Sequence, residues 1–183
     1  MDSLSQAALG AAVAVAVMQR RTAVWKAAAF GAVAGTLPDL DVFIEHGDPI
    51  LDMVLHRAET HALLWLTLFS LPLGWATAAL MRERPQWRRW WLAAWLALIT
   101  HPLLDAMTVY GTQLFLPFSN HPVGVGSLFI IDPAYTLPLL LGVLVAVVLG
   151  RRAAALKANA VGLVLSTAYI GWSEAAQADV VGV

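Results

Sequence analysis

The 183-residue chain contains no cysteine. This absence excludes disulfides, thiolate metal sites and cysteine nucleophiles, so any metal site must be built from histidine and carboxylate side chains. Charged residues are also scarce, at 13%, whereas soluble domains contain about 25%. Hydrophobic residues make up 60% of the chain. This composition excludes a disordered chain and argues against a soluble globular protein.

Six apolar segments follow one another along the chain. They cover Leu4–Met18, Thr22–Leu37, Ala62–Met81, Trp90–Thr108, Leu128–Leu149 and Ala160–Ala176. The third and fifth have about 20 residues, which is enough to cross a hydrocarbon core of about 30 Å, whereas the first two are shorter. The sequence therefore predicts a single all-α domain over residues 1–183, a multi-pass transmembrane bundle of about six helices.

The basic residues indicate how such a bundle is oriented. Ten of the 11 lysines and arginines lie in three short loops, after the first, third and fifth segments. If all six segments span in sequence, these loops share one side, and the positive-inside rule makes that side cytoplasmic. Of the 12 acidic residues, only Glu83 falls on this side. The sequence therefore predicts a membrane protein whose cytoplasmic side is basic and whose outer side is acidic.

Two aspartates follow the second segment at its predicted outer end. Pro38 ends or kinks the helix there, and Asp39 and Asp41 stand two residues apart in the turn. Two carboxylates with this spacing can point at one cation. An ordinary capped turn is the alternative interpretation.

Two histidines precede the third segment. His56 and His61 are five residues apart, which turns their side chains away from each other on a regular helix, by about 140°. They can converge only if the helix begins between them, and Thr60 is a suitable N-cap for a helix beginning at Ala62. Two unrelated interfacial histidines are the alternative.

A histidine and an aspartate lie within the fourth segment. His101 and Asp105 are separated by four residues and therefore lie on one face of a helix. Their predicted position is in the outer half of the bilayer, where ionisable groups are costly and indicate function. A purely structural hydrogen bond between them is the alternative.

Together these clusters predict a metal site at the outer ends of the helices. The candidate ligands are Asp39, Asp41, His56, His61, His101 and Asp105. Oxygen and imidazole donors suit a divalent ion, with Zn²⁺ the first choice and Mn²⁺ or Fe²⁺ the alternatives. Six such residues could hold one ion, or two bridged by a carboxylate.

At these residues the chain resembles a family of bacterial membrane-bound metal-dependent hydrolases, the YdjM type. The resemblance rests on Met1–Gly10, Gly35–Asp41, His56–His61, His101–Gly111, Leu116–Ser119 and Ile131–Pro133, in this order. It implies an integral inner-membrane protein with metal-dependent hydrolase activity, and it implies the same six candidate ligands. The chain departs from the family at Gln6, where many members have histidine.

The predicted reaction is hydrolysis of an ester or phosphoester, with a lipid-like substrate, at the outer face of the cytoplasmic membrane. Asp41 or Glu59 could accept the proton of the attacking water. Arg57, the only basic residue on the outer side, could bind a phosphate oxygen. The alternative for Arg57 is an interfacial pair with Glu59 or Asp52.

Two other functions use the same residues. An ion carrier could bind a metal or proton in transit, although the cytoplasmic halves of the segments offer no second polar cluster. A structural membrane protein could use the metal for stability alone. The expected partners are membrane lipids and a small-molecule or lipid substrate, nucleic acid is not expected, and the oligomeric state is left open. His46 and His121 are interpreted as loop residues, and Asp132 as an N-cap.

Overall fold

The computed structural model describes residues 1–43, 47 and 58–182, and it places them in an all-helical fold. The described residues form six α-helices: α1 (Ser3–Met18), α2 (Val24–Thr36), α3 (Leu63–Leu80), α4 (Trp87–Ala106), α5 (Pro133–Leu149) and α6 (Ala153–Val181). Three 3₁₀ turns join them at Pro38–Phe43, Glu59–His61 and Arg84–Gln86. Within these residues, β-pairing is limited to an isolated bridge between Thr112 and Val123. The prediction of an all-α fold is confirmed.

Two helices begin with an aspartate cap. The side chain of Asp2 accepts hydrogen bonds from the first-turn amides of α1. Asp132 does the same for α5. Pro133 occupies the first helical position, where the amide would have no partner within the helix, so the lack of an N–H in proline costs nothing there. The predicted N-cap at Asp132 is confirmed, and it explains why α5 begins later than the expected Leu128.

Two other boundaries differ from the predictions. The residue that caps α3 is Ala62, without a side-chain hydrogen bond, because Thr60 belongs to the preceding 3₁₀ turn. The prediction that Thr60 caps this helix is therefore wrong. The last helix is longer than the expected Ala160–Ala176, and its 29 residues make it the longest in the fold.

Neighbouring helices pair closely at glycines. A Cβ on Gly31 of α2 would lie 2.2 Å from the carbonyl oxygen of Gly10 on α1, and one on Gly74 of α3 would lie 2.3 Å from the Cα of Trp91 on α4. The pair α5–α6 meets in the same way at Gly162. Small residues of this kind let helix backbones approach, as the GxxxG spacing in α2 indicates. The fold is thus three helix pairs, with α4 packed against α1 and α2 as well as α3.

At the end of the bundle that carries the basic loops, one acid ties three elements together. Glu83 accepts hydrogen bonds from Thr22 Oγ1 at 2.7 Å and from Trp90 Nε1 at 3.1 Å. Lys26 Nζ lies 3.8 Å from the same carboxylate. Both oxygens of this acid are therefore satisfied by donors of the protein itself, in the α1–α2 loop and the first turn of α4.

Two helices are long and apolar enough to cross a membrane. These are α3, over Leu63–Leu80, and α6, over Ala153–Val180, while α1 and α5 are apolar but shorter. Large apolar side chains such as Leu68, Trp75 and Val164 are exposed on their surfaces. Exposure of this extent is typical of a surface that faces lipid rather than water.

Candidate metal centre

Helix α4 contributes two residues to a buried polar cluster. His101 and Asp105 lie on the same helix face, with Nε2 of the histidine 3.4 Å from Oδ2 of the aspartate. Both side chains are fully buried because α4 is packed between α1, α2 and α3. The predicted pairing of these two residues on one face is present in the structure.

The 3₁₀ turn after α2 contributes Asp39. Pro38 follows the end of α2 and redirects the chain, so that Asp39 points inward while Leu40 and Val42 are exposed. Oδ1 of Asp39 lies 3.3 Å from Nε2 of His101 and 3.7 Å from Nε2 of His61. The alternation of acidic and apolar residues in this short turn thus separates its buried face from its exposed face.

The 3₁₀ turn before α3 contributes His61, which is fully buried. Its Nε2 lies 3.1 Å from Nε2 of His101 and 3.4 Å from Oδ2 of Asp105. The two imidazole rings therefore meet at their Nε2 atoms, with their planes tilted by 58°, and carboxylates lie beside them.

Hydrogen bonds on the far side of each ring decide which nitrogen carries the proton. Nδ1 of His101 lies 2.6 Å from the carbonyl oxygen of Gly35, which can only accept, so this nitrogen is the donor. The Thr60 hydroxyl donates to Oδ2 of Asp41 at 2.6 Å and lies 3.0 Å from Nδ1 of His61. Because the hydroxyl proton of Thr60 is directed at Asp41, its oxygen can accept a hydrogen bond from Nδ1–H of His61. In the neutral rings, both Nε2 atoms consequently direct lone pairs into the cluster.

These four side chains have the composition and spacing of a metal site. One ligand atom from each of Asp39, His61, His101 and Asp105 lies within 4.8 Å of the other three. Tetrahedral ligands 2.0–2.1 Å from a zinc ion are about 3.3 Å apart, close to the 3.1 Å between the two Nε2 atoms. Lone pairs this close repel unless a cation lies between them. The four residues could therefore hold a metal ion, and the donor set fits one.

Protons can supply the same positive charge. Burial alone raises the pKa of the Asp39 carboxyl, but hydrogen bonding with the side chains of His101 and His61 outweighs burial and holds that pKa well below its usual range. Protons and a metal ion therefore compete for the same two nitrogen atoms.

The other predicted site residues lie in different places. Asp41 is close to Nδ1 of His61, at 3.6 Å, on the side of the ring that faces away from His101. Glu59 is exposed and belongs to the same turn as His61. His56 and Arg57 lie outside the described residues, so their predicted roles stay predictions.

Sequence reasoning gave no role to three groups that support the cluster. The buried Gln6 of α1 donates from Nε2 to Oδ1 of Asp105 at 3.1 Å and to the carbonyl oxygen of His101 at 3.2 Å. The amino group of Met1 also contacts Oδ1 of Asp105, and the carbonyl of Gly35 holds His101. The signal for Gln6 in the sequence was its departure from the resembling family, in which many members have histidine at this position. A backbone carbonyl leaves no signal of this kind.

Comparison with known protein families gives a match that includes all four residues of the cluster. A sequence profile described as the YdjM inner membrane protein family matches residues 1–180. The chain belongs to this family. The expectation of a YdjM-type protein is thereby confirmed. The members of this family are described as inner membrane proteins.

One curated relative of this YdjM family member is a Bacillus subtilis (strain 168) protein, "Uncharacterized protein YfhP". The two are 28% identical over 96 residues, which is 52% of this chain and 29% of YfhP. The aligned part therefore spans less than a third of that relative. No solved structure matches the chain.

Proposed function

We propose that this protein is a membrane-bound metal-dependent hydrolase that cleaves an ester or phosphoester at the outer face of the cytoplasmic membrane. The observation that carries this proposal is the convergence of two imidazole Nε2 atoms and two carboxylates, with both Nδ1 atoms held by acceptors. Metal-ligating histidines typically donate their second ring N–H in this way. Membership in the YdjM inner membrane protein family supports the location.

The donor set favours zinc. Two imidazole nitrogens and two carboxylate oxygens near tetrahedral spacing suit Zn²⁺, and Mn²⁺ or Fe²⁺ are the alternatives. Four ligand atoms account for one ion. A second ion would need Asp41 to turn inward, or would need His56.

When bound, a divalent ion supplies Lewis acidity and lowers the pKa of water toward neutrality. The residues of the chain have separate roles around it. Glu59, exposed beside His61, accepts a proton from the attacking water, and Arg57 binds an anionic oxygen of the substrate. Asp41 and Thr60 fix the orientation of His61, and Gln6 fixes that of Asp105.

The proposed orientation places this centre toward the outer side. All six helices cross the membrane in turn, and the three basic loops lie in the cytoplasm. The length of α3 and α6 supports this arrangement. The shorter helices then lie inside the bundle, where packing and local thinning compensate for their length.

Metal analysis of the purified protein tests the proposal, together with hydrolysis of a panel of soluble and lipid esters and phosphoesters. We expect bound metal and metal-dependent cleavage in the parent protein. His101→Ala should lose both, with metal affinity reduced by more than about 100-fold, the upper end for outer-shell changes. His121→Ala is the matched control, because His121 is exposed in the outer loop.

The result also separates the alternative functions. Metal-loaded protein that cleaves no ester or phosphoester contradicts the hydrolase. In that case, metal uptake into proteoliposomes that disappears in His101→Ala identifies a carrier. Loss of thermal stability without uptake identifies a structural metal.

A further inference from the structure

A groove of 490 Å³ lies beside the candidate metal centre. Its apolar lining comes from Leu37 at the end of α2, from Trp65, Leu66 and Phe69 in the first turns of α3, and from Leu98 of α4. Because α2 and α3 both pack near α4, the groove lies across α4 with Leu98 between them. The other described residues that line the groove are Pro38, Glu59 and Thr60.

The polar end of the groove coincides with the metal cluster. Glu59 and Thr60 line it there, and Pro38 lines it from the other side. Thr60 contacts the ring of His61, and Pro38 is joined directly to Asp39. A molecule in the groove therefore has one end beside the cluster.

The apolar end extends along the helices away from this cluster. Phe69 is six residues after Leu63, the first residue of α3, which corresponds to about 9 Å along the helix axis. Leu98 is three residues before His101 on α4, one turn further from the outer end. Trp65 and Phe69 are half-exposed on a helix that is apolar and long enough to cross a membrane. The groove consequently opens toward the lipid side.

We infer that this groove binds a single hydrocarbon chain of the substrate, with the scissile ester or phosphoester at the metal centre. The inference rests on the proposed function and names its substrate class, an amphiphile with an aliphatic chain. Water adds across the scissile bond, so that an ester gives a carboxylic acid and an alcohol. A chain that enters between α2 and α3 stays in an apolar environment along its whole length.

Chain binding can be measured without any hydrolysis. Decylphosphonate brominated along its chain, whose C–P bond is not hydrolysed, is titrated into the metal-loaded protein in nanodiscs, and quenching of tryptophan fluorescence is recorded. We expect saturable quenching that is lost in Trp65→Phe. Trp75→Phe is the matched control, because Trp75 is exposed on the same helix but lies outside the groove. Equal saturable quenching in both variants would overturn the inference.

Chain-length preference tests the same groove by catalysis. Esters of increasing acyl length, used as dissolved monomers, should show a rise in kcat/KM of up to about fourfold per methylene until the groove is filled. Leu66→Trp, which places a bulky ring in the groove, should shift the preference, measured as the ratio of kcat/KM for long and short esters, to shorter chains and should leave the metal content unchanged. Leu68→Trp, on the exposed side of α3, should keep the parent preference.

The two measurements distinguish a failure of the chain-binding groove from a failure of the proposed hydrolase activity. Saturable quenching that depends on Trp65, without cleavage of any ester, supports the groove and contradicts the hydrolase. Cleavage with the same chain-length preference in Leu66→Trp and Leu68→Trp supports the hydrolase and contradicts the groove.

Discussion

The two ends of the bundle differ in how their partly or fully buried acidic side chains are paired. At the end with the basic loops, Glu83 receives protein donors on both oxygens, from Thr22 and Trp90, and a lysine lies nearby. At the other end, Asp39 and Asp105 face two imidazoles whose protons point away from them in the neutral form. Glu83 thus has protein donors on both oxygens. Gln6 and the amino group of Met1 both contact Oδ1 of Asp105, whereas its Oδ2 and Oδ1 of Asp39 lie beside the imidazole nitrogens.

The comparison teaches that buried acids alone do not indicate a metal site. What matters is the balance between acceptors and donors, because a buried carboxylate without a donor or cation is costly. Glu83 meets this requirement with a hydroxyl, an indole and an ammonium group. The cluster around His61 and His101 has Gln6 and the Met1 amino group on one oxygen of Asp105, and the carboxylate oxygens that face the imidazoles are balanced by bound protons or by a metal ion.

The largest expected difference comes from neutralising one acid at each end. Asp105→Asn should reduce metal affinity by more than about 100-fold, because the substitution removes an anionic ligand, and outer-shell changes alone reach that size. Glu83→Gln should leave metal content unchanged and cost about 1–3 kcal/mol of stability, since the amide nitrogen cannot accept a hydrogen bond. Metal analysis and thermal unfolding measure both. Equal metal loss in the two variants would contradict the distinction.

Chelation should reproduce the first effect in the parent protein. Metal present at about 100 times its dissociation constant stabilises the folded state by about 2.7 kcal/mol. Its removal should lower Tm by about 5–10 °C, at about 2–4 °C per kcal/mol for a chain of this size. Glu83→Gln should unfold at a lower temperature but show the same chelator shift. A chelator shift that persists in His101→Ala would argue against this centre as the metal site.

Helix spacing should have the next largest effect. A Cβ at Gly35 would lie 2.6 Å from the carbonyl oxygen of Gln6, so Gly35→Ala must move α2 and the carbonyl that holds His101. We expect a 10- to 100-fold loss of metal affinity, the range for outer-shell partners. Gly171→Ala is the control, because nothing lies within 4 Å of a Cβ there. Parent-like affinity in Gly35→Ala would show that this carbonyl does not position His101.

The smallest effect should come from the hydroxyl between Asp41 and His61. Thr60→Val keeps the side-chain shape but removes the group that contacts Nδ1 of His61. We expect a loss of metal affinity of about 10-fold, the lower end for outer-shell partners. Thr60→Ser should restore it. If Thr60→Ser binds metal as weakly as Thr60→Val, the methyl packing rather than the hydroxyl matters.

The apolar segments and the positions of histidine and aspartate in the sequence predict the helices and much of the candidate metal centre. Six apolar segments correspond to the six helices, because long apolar runs reflect helix packing and lipid exposure. His101 and Asp105 come together through simple helix geometry. Asp39 and His61 meet them because prolines and short turns place both at the same end of the bundle.

Other parts of the centre depend on tertiary contacts that no local pattern encodes. Asp41 lies on the Nδ1 side of His61, away from His101, because it accepts a hydrogen bond from Thr60 in the 3₁₀ turn. The two-residue spacing between Asp39 and Asp41 does not predict this position. The contact of Gln6 with Asp105 joins residues 99 positions apart. The carbonyl of Gly35 can act only because α1 and α2 pack closely enough to place it over α4.

The hydrogen bond from His101 to Gly35 also relates metal loading to biogenesis. Gly35 belongs to the last turn of α2, whose carbonyl groups have no partner within the helix, and the imidazole supplies one. The ring is therefore set in its ligating orientation only after the first hairpin has met the fourth helix. A metal ion held by His101 in this orientation would therefore report that α2 and α4 have already packed together.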